Sequence, residues 1–250
     1  YVGSSPAGHG VALDKVTTKV MIHAAGLPTA PYWVFFNAEQ IPDDIPFPVI
    51  TKPKMEAVSM GIQVIHDLPS LKTAVVDLVE QFKQPVLIEQ FIPGREFAVG
   101  LLGNRDPEIL PILEIDLEGN PDAIQSIEDK LKKPKGKICP AKVDDKTAEE
   151  IRRLTRETFR VLGIYDFCRV DYRMDSEGNL YILEYPHTRY LNMNLLKNIH
   201  HPMNTNALLV KMDPAFREIA SEFGEDVDEI IESKLVLSKE DLMIGQKNFF

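Results

Sequence analysis

Two carboxylates and two arginines occur in a segment that has the pattern of a β-hairpin. Two apolar runs flank the turn DSEGN at 175–179, whose residues tolerate positive φ or bond their own backbone. Arg169, Asp171 and Arg173 alternate with apolar residues and share one strand face, and Glu184 lies on the other arm. Mg²⁺ binds one or two carboxylates together with substrate phosphates, and an arginine adds a cation for the same phosphates. The segment therefore indicates either a site for Mg²⁺ and phosphate or a surface hairpin with solvated charges.

The composition is that of a globular protein in a reducing compartment. The 250 residues, 44% hydrophobic and 26% charged, suffice for one large or two small domains with a core. A net charge of −10 argues against nucleic acid as a partner, because phosphate backbones require a basic face. Two cysteines are too few for a disulfide framework, so we expect a cytoplasmic protein. We expect no membrane association, since no run of about 18 apolar residues and no signal-peptide pattern occurs.

Hydrophobic spacing predicts the helices and strands that position the hairpin. The predicted helices are 12–25, 69–83, 147–162, one within 214–235 and a short one after Ser238, and the predicted strands are 32–36, 49–52, 63–65, 86–92, 95–102 and 109–115. Gly26 is expected to end the first helix, and Asp144 or Asp145 to cap the third. The dipeptide Pro93-Gly94 separates two strands and is expected to form the joint between two lobes.

Several lysines are candidates for phosphate contacts, although each also has a structural interpretation. Lys15 and Lys19 are four residues apart and share one helix face, where solvated lysines are common. Lys52 ends a strand and precedes the segment 54–62, whose small residues suggest a phosphate-covering flap. The polar, lysine-rich segment 118–137 is either a solvated loop or a lid whose lysine closes over a phosphate.

The order of these segments resembles the ATP-grasp superfamily, and most closely the D-alanine–D-alanine ligases. The stretches that carry the resemblance are LDKVTTKVMIHAAGLPTAPY (13–32), FPVITKPKMEAVSMGI (47–62), VLIEQFIPGREFAVGLLGN (86–104), the segment from CPAKVDD to CRVDY (139–172) and GNLYILE (178–184). The resemblance implies an α+β ATP-grasp fold, in which two lobes with antiparallel sheets hold a nucleotide between them. It implies a small lobe with the entry helix at 1–88, a large lobe with the hairpin at 89–210 and a C-terminal helical tail at 211–250.

The resemblance also implies roles for single residues, with ATP and Mg²⁺ as cofactors. The implied nucleotide-binding residues are Lys15 and Lys52 near the phosphates, Ser59 in the flap, Ile50 and Leu183 around the adenine, Glu89, Phe91 and Ile92 at the adenine edge, and Glu96 at the ribose. Lys130 is the implied lid lysine and, with Arg169, the implied catalytic cation for the transferred phosphate. Asp171 and Glu184 are the implied metal ligands.

The sequence departs from the family pattern beside the implied phosphate site. Pro186 stands where the family has an Asn that ligates a second Mg²⁺. The residues HTRYLNMNL at 187–195 lack the Pro-Gly turn and the Ser that bind the acceptor substrate. The flap EAVSMG at 56–61 has lost one Gly and one Ser of the family pattern.

These features leave two functions open. The resemblance implies an ATP-dependent carboxylate–amine ligase that acts through an acyl phosphate on a small amino-acid-like substrate. The departures suggest instead a catalytically impaired ATP-grasp protein that binds nucleotide or a protein partner. We further expect either a homodimer or a separate chain that carries the family's N-terminal domain, which is absent from this sequence.

Overall fold

The computed structural model of the chain describes residues 4–56, 59–124 and 135–184, which form helices around two antiparallel sheets. The helices are α1 Pro6–Leu13, α2 Lys15–Ala24, α3 Leu68–Phe82 and α4 Asp145–Val161, with a short 3₁₀ helix at Ala38–Gln40. The strands are β1 Tyr32–Phe35, β2 Val49–Pro53, β3 Gln63–Ile65, β4 Val86–Gln90, β5 Arg95–Leu102, β6 Glu108–Ile109, β7 Leu113–Ile115, β8 Lys137–Ile138, β9 Phe167–Met174 and β10 Leu180–Glu184. The predicted helices in 214–235 and after Ser238 lie outside the described residues.

The smaller sheet has the strand order β1-β4-β2-β3 and packs against α3. Leu71, Val75 and Leu78 recur at helical spacing on α3, and all three are buried against this sheet. Asp67 caps the helix, because its carboxylate accepts a hydrogen bond from the Ser70 amide at 2.8 Å. The small sheet and α3 therefore form one apolar core of their own.

The larger sheet has the strand order β10-β9-β5-β7-β8, with β6 paired to β5. Its inner face carries Phe97 and Tyr172, which pack with Ile151 of α4 and with Ile22 of α2. The entry helix α2 thus shares its core with the large sheet. Asp144 caps α4 by accepting a hydrogen bond from the Thr147 amide at 3.0 Å. No helix in the described part of the chain is long and apolar enough to cross a membrane.

Two predicted elements differ from the structure in ways that single residues explain. The predicted helix over 12–25 is wrong at its start, because Asp14 ends α1 and caps α2 by accepting from the Val16 and Thr17 amides. The predicted strand over 109–115 is wrong over residues 110–112, because β6 ends at Ile109 and β7 begins only at Leu113. Pro111 lies in this gap and has no amide to donate to a ladder.

Candidate functional site

A cavity is lined by residues from both sheets. It has an empty volume of about 670 Å³, part of which is open to solvent. Nine residues predicted to bind nucleotide or metal line it: Ile50, Lys52, Ser59, Glu89, Phe91, Ile92, Glu96, Asp171 and Leu183. The lining residues that the sequence had not assigned to a site are Ala30, Ile62, Gln90, Ile124 and Arg173. The fold therefore gathers residues from distant segments of the chain at one place.

Glu89 is the centre of a buried charge cluster in the wall of this cavity. Lys19 and Lys52 each place the ammonium nitrogen against one of its carboxylate oxygens. Lys52 is 5% exposed, and Lys19 and Glu89 are 1% exposed. Burial by itself raises the pKa of Glu89, but the two lysines outweigh burial and hold that pKa at about 2. Glu89 is therefore a fixed anion at neutral pH, and the cluster ties α2 to β2 and β4.

Lys19 also connects this charge cluster to the β9–β10 hairpin, which carries the predicted metal ligands. Its ammonium donates to the hydroxyl of Thr29 and lies 3.4 Å from the carbonyl oxygen of Ile182 in β10. The Thr29 hydroxyl donates to the same carbonyl at 2.9 Å. These contacts position the segment before β1 beside β10, the strand that carries Leu183.

Asp171 lies on β9 at the edge of the cavity and forms a bidentate ion pair with Arg169. Nε and Nη2 of the arginine donate to the two carboxylate oxygens at 2.7 and 2.6 Å. The hairpin prediction is confirmed, and Glu184 lies directly opposite Asp171 in the register of β9 and β10. A bulge between Ile182 and Glu184 produces this pairing. The role of the two carboxylates as metal ligands stays a prediction.

Arg173 is a buried residue of β9 that contacts several parts of the cavity wall. Its side chain is 4% exposed and forms an ion pair with Glu96 at 3.0 Å. The guanidinium carbon lies 5.5 Å from the centroid of the Phe91 ring, within cation–π range. The guanidinium also donates to four backbone carbonyls: those of Ile92, Gly94, Pro121 and Ala123.

Two predicted site residues do not line the cavity, and the side chains of two others lie outside the described part of the structure. Lys15 donates from its ammonium to the carbonyl of Glu56, at the base of the predicted flap. Arg169 pairs with Asp171, which itself lines the cavity. Lys130 lies outside the described residues, and for Glu184 only the backbone position is described.

Lys137 on β8 is the last lysine of the segment 118–137, which the sequence predicted to be either a solvated loop or a lid. It is half-buried, and burial together with the nearby positive charge of Arg169 lowers its pKa. Lys137 therefore lies within the electrostatic range of Arg169.

Sequence spacing marked Lys19 as a candidate phosphate lysine and Arg173 as a neighbour of Asp171, but it did not predict their buried partners Glu89 and Glu96. Lys19 follows Lys15 by one helical turn, and Arg173 alternates with Asp171 on β9. Spacing places such residues on a shared face, but it does not reveal a partner that comes from a distant strand.

The comparisons with known proteins decide the family. Residues 21–187 match the family profile described as "D-ala D-ala ligase C-terminus". The chain belongs to this family. A D-alanine–D-alanine ligase of Alcanivorax borkumensis is 34% identical over 185 residues, which cover 74% of this chain and 57% of that protein. An uncharacterized protein of Sinorhizobium fredii, y4sG, is 38% identical over 188 residues, which cover 74% of this chain and 55% of that protein. The chain thus spans little more than half the length of these curated relatives.

Solved structures show the fold of this family member. An L-amino acid ligase from Bacillus licheniformis superposes with a TM-score of 0.62 at 21% identity, over 76% of this chain and 44% of that one. The VanG D-Ala:D-Ser ligase from Enterococcus faecalis superposes with a TM-score of 0.63 at 22% identity, over 74% of this chain and 55% of that one. The predicted α+β ATP-grasp fold with antiparallel sheets is thereby confirmed.

Proposed function

We propose that this chain is the ATP-binding part of an ATP-dependent carboxylate–amine ligase. The observation that carries the proposal is the convergence of nine residues, picked from separate motifs, on the lining of one cavity. Apolar walls with a few convergent polar groups are typical of small-molecule sites. A nucleotide fits this combination, because its base is flat and apolar on both faces while its edges and phosphates are polar.

The adenosine half of the nucleotide is assigned to the wall formed by β2, β4 and the residues after β4. Ile50 and Leu183 supply apolar surface for the two faces of the base. Glu89, held as an anion by its two lysines, can only accept hydrogen bonds. Glu96 is half-buried and lines the cavity, so its carboxylate suits ribose hydroxyls.

The phosphate half is assigned to β9 and β10. Asp171 offers a carboxylate at the cavity, and Glu184 is its register partner, so the donor set suits Mg²⁺. Among the side chains that the structure describes, which do not include that of Glu184, no three of His, Cys, Asp or Glu are grouped to hold a metal. Phosphate oxygens would therefore complete the coordination, and the ion would neutralise charge on the phosphates. Arg169 and Lys52 provide fixed positive charge for the same groups.

The reaction that this arrangement supports has two steps. A carboxylate oxygen of the amino-acid-like substrate forms a bond to the γ-phosphorus while the bond to ADP breaks, which gives an acyl phosphate. An amine then attacks the acyl carbon, phosphate leaves and the amine loses a proton. Arg169, and Lys130 by its family position, would stabilise charge on the transferred phosphoryl group.

Amino-acid-dependent turnover tests this proposal. The chain would be mixed with ATP, Mg²⁺ and a panel of D- and L-amino acids, and ADP and phosphate would be measured together. We expect release of both products to depend on an amino acid and to be lost in Asp171→Asn. A folded chain that releases no product with any member of the panel would contradict the ligase function.

A second candidate is an ATP-grasp protein that binds nucleotide without turnover. Pro186 favours it, because proline offers no side-chain oxygen where the family has an Asn ligand. Calorimetry with ATP, with and without Mg²⁺, separates the two candidates. Nucleotide binding that does not depend on Mg²⁺ and is not followed by hydrolysis would support the second candidate, as would a gain of turnover in Pro186→Asn.

A further inference from the structure

Arg173 connects three parts of the chain that are distant in sequence. Nη1 lies 3.4 Å from the carbonyl oxygen of Ile92 and 3.3 Å from that of Gly94, both in the link between β4 and β5. The same nitrogen lies 3.2 Å from the carbonyl of Pro121, and Nη2 donates to the carbonyl of Ala123. Arg173 itself is on β9, two residues after Asp171.

The connected segments also touch each other at this point. The Gly94 amide donates to the Pro121 carbonyl at 2.9 Å. Ile124 follows directly and lines the cavity. The guanidinium therefore sits where the β4–β5 link, the segment before Ile124 and the strand of Asp171 meet.

The same side chain contacts two cavity residues. Nη2 pairs with Glu96 at 3.0 Å, and the guanidinium lies against the ring of Phe91. Arg173 is almost fully buried, so these contacts are not weakened by competition with bulk water. A planar fork places donors on two separate terminal nitrogens and can hold carbonyls on one side and a carboxylate on the other, whereas an ammonium presents its three donors from a single nitrogen.

We propose that Arg173 is a positioning residue that sets the affinity of the site for the nucleoside half of ATP. This inference rests on the proposed nucleotide function. Arg173 orients Glu96 and Phe91 and fixes the backbone at Ile92, so the wall that receives base and ribose is pre-organised. The residues assigned to phosphate and metal do not depend on its contacts.

Arg173→Lys is the informative variant, because it keeps the positive charge beside Glu96 but loses the fork. Arg95→Lys is its matched control. Arg95 makes a bidentate pair with Glu114 at 2.7 and 2.8 Å, donates to the Lys142 carbonyl and lies 5.0 Å from the centroid of the Phe97 ring. Its contacts resemble those of Arg173, but Arg95 does not line the cavity.

The test measures binding of ATP and of inorganic tripolyphosphate, each with Mg²⁺, by calorimetry on the full chain. We expect Arg173→Lys to weaken ATP binding about tenfold, as the loss of a charge-assisted hydrogen bond would, and to leave tripolyphosphate binding within about twofold. Arg95→Lys should change neither. Equal ATP affinity in the two variants, or an equal loss for ATP and tripolyphosphate, would overturn the inference. A wild-type chain that binds no ATP would instead refute the proposed function, and the inference with it.

A second pair of variants covers the case in which Arg173→Lys does not fold. Glu96→Gln removes the charge that would otherwise remain buried without a partner, and Glu96→Gln/Arg173→Gln adds the loss of the carbonyl contacts. We expect the double variant to bind ATP about tenfold more weakly than Glu96→Gln alone. Equal ATP affinity of these two variants would also overturn the inference.

Discussion

Lys19, Lys52 and Glu89 are charged residues that are almost fully buried, and removing a charge from water costs free energy. Their mutual contacts make burial tolerable, since each oxygen of the carboxylate faces an ammonium. The cluster thus has two roles in our account: it joins α2 to the small sheet, and it fixes an acceptor at the base-binding wall.

Replacing Glu89 by Gln should destabilise the fold strongly. The variant leaves two buried ammonium groups without a counter-charge, which typically costs about 3–5 kcal/mol. Urea unfolding measures the change in the free energy of unfolding. Glu157→Gln is the control, because its partner Arg153 is 48% exposed and such surface pairs contribute about 1 kcal/mol or less. Equal effects of the two variants would contradict the importance of the buried cluster.

The Glu89 carboxylate should also make the free energy of unfolding depend on pH in the acidic range below its ordinary pKa of 4.5. The folded chain holds the pKa of Glu89 at about 2, below its ordinary value of 4.5. A lowered pKa gives stabilisation that is complete above the ordinary value and is lost as the pH falls toward the folded value. The difference in unfolding free energy between the wild-type chain and Glu89→Gln should therefore shrink from pH 4.5 to pH 2. A difference that stays constant over this interval would show that the ion pairs contribute nothing.

At the scale of residues, the sequence predicted the arrangement of the hairpin better than the buried ion pairs. Asp171 and Glu184 follow from strand alternation and a recognisable turn, which are local properties. The partner of Lys19 is on β4 and the carbonyl partners of Arg173 are on two separate links, so both depend on how the sheets pack. No local spacing rule contains that information.

At the scale of elements, the β4–β5 link depends on a single glycine. Gly94 has φ +138, a backbone conformation that side chains disfavour, and a Cβ at this position would lie 2.1 Å from the carbonyl oxygen of Met174. The link carries Ile92 and precedes Glu96, so its course determines where both residues lie.

Gly94→Ala should therefore cost more stability than an ordinary glycine substitution. We expect a loss of about 3 kcal/mol or more, because the clash with β9 adds to a backbone strain of about 1–3 kcal/mol. Thermal and urea unfolding measure this loss. Gly119→Ala is the control, since Gly119 also has a positive φ of +73 but has no atom within 4 Å of the added carbon. If the two variants lose the same stability, the close approach to Met174 is not a constraint.

The elements that the sequence predicted well have apolar residues at a regular spacing and a recognisable residue at the terminus. Helices α3 and α4 have apolar residues at helical spacing and aspartate caps at Asp67 and Asp144. The strand β8 could not be predicted, since it has two residues and exists only through pairing with β7. The division between α1 and α2 depends on the hydrogen bonds that the Asp14 carboxylate accepts from the Val16 and Thr17 amides. The spacing of apolar residues does not reveal these hydrogen bonds.

At the scale of the whole molecule, two separate cores support one cavity. The small sheet packs on α3, while the large sheet packs on α2 and α4, and cavity residues come from both sheets. The family and its fold are established, and the lobe boundaries at 88 and 210 remain predictions. A ligand between two such units should link them, so nucleotide binding should stabilise both cores together.

ATP binding should therefore raise the unfolding temperature in one cooperative transition. With the nucleotide at 100 times its dissociation constant, the expected gain is about 2.7 kcal/mol in the free energy of unfolding. Scanning calorimetry with ATP and Mg²⁺ measures it. Two separate unfolding transitions, of which ATP raises the temperature of only one, would show that the nucleotide contacts a single sheet.

The dependence of ATP binding on Mg²⁺ and on Asp171 tests the central claim most directly. Isothermal titration calorimetry would compare the wild-type chain, Asp171→Asn and the control Asp145→Asn, an exposed residue in the first turn of α4, each with Mg²⁺ and with EDTA. We predict that ATP binds the wild-type chain and the control at least about tenfold more tightly with Mg²⁺, and that Asp171→Asn loses this dependence. ATP binding that is equally tight in all three chains, or unchanged by EDTA, would contradict a metal and phosphate site at the β9–β10 hairpin.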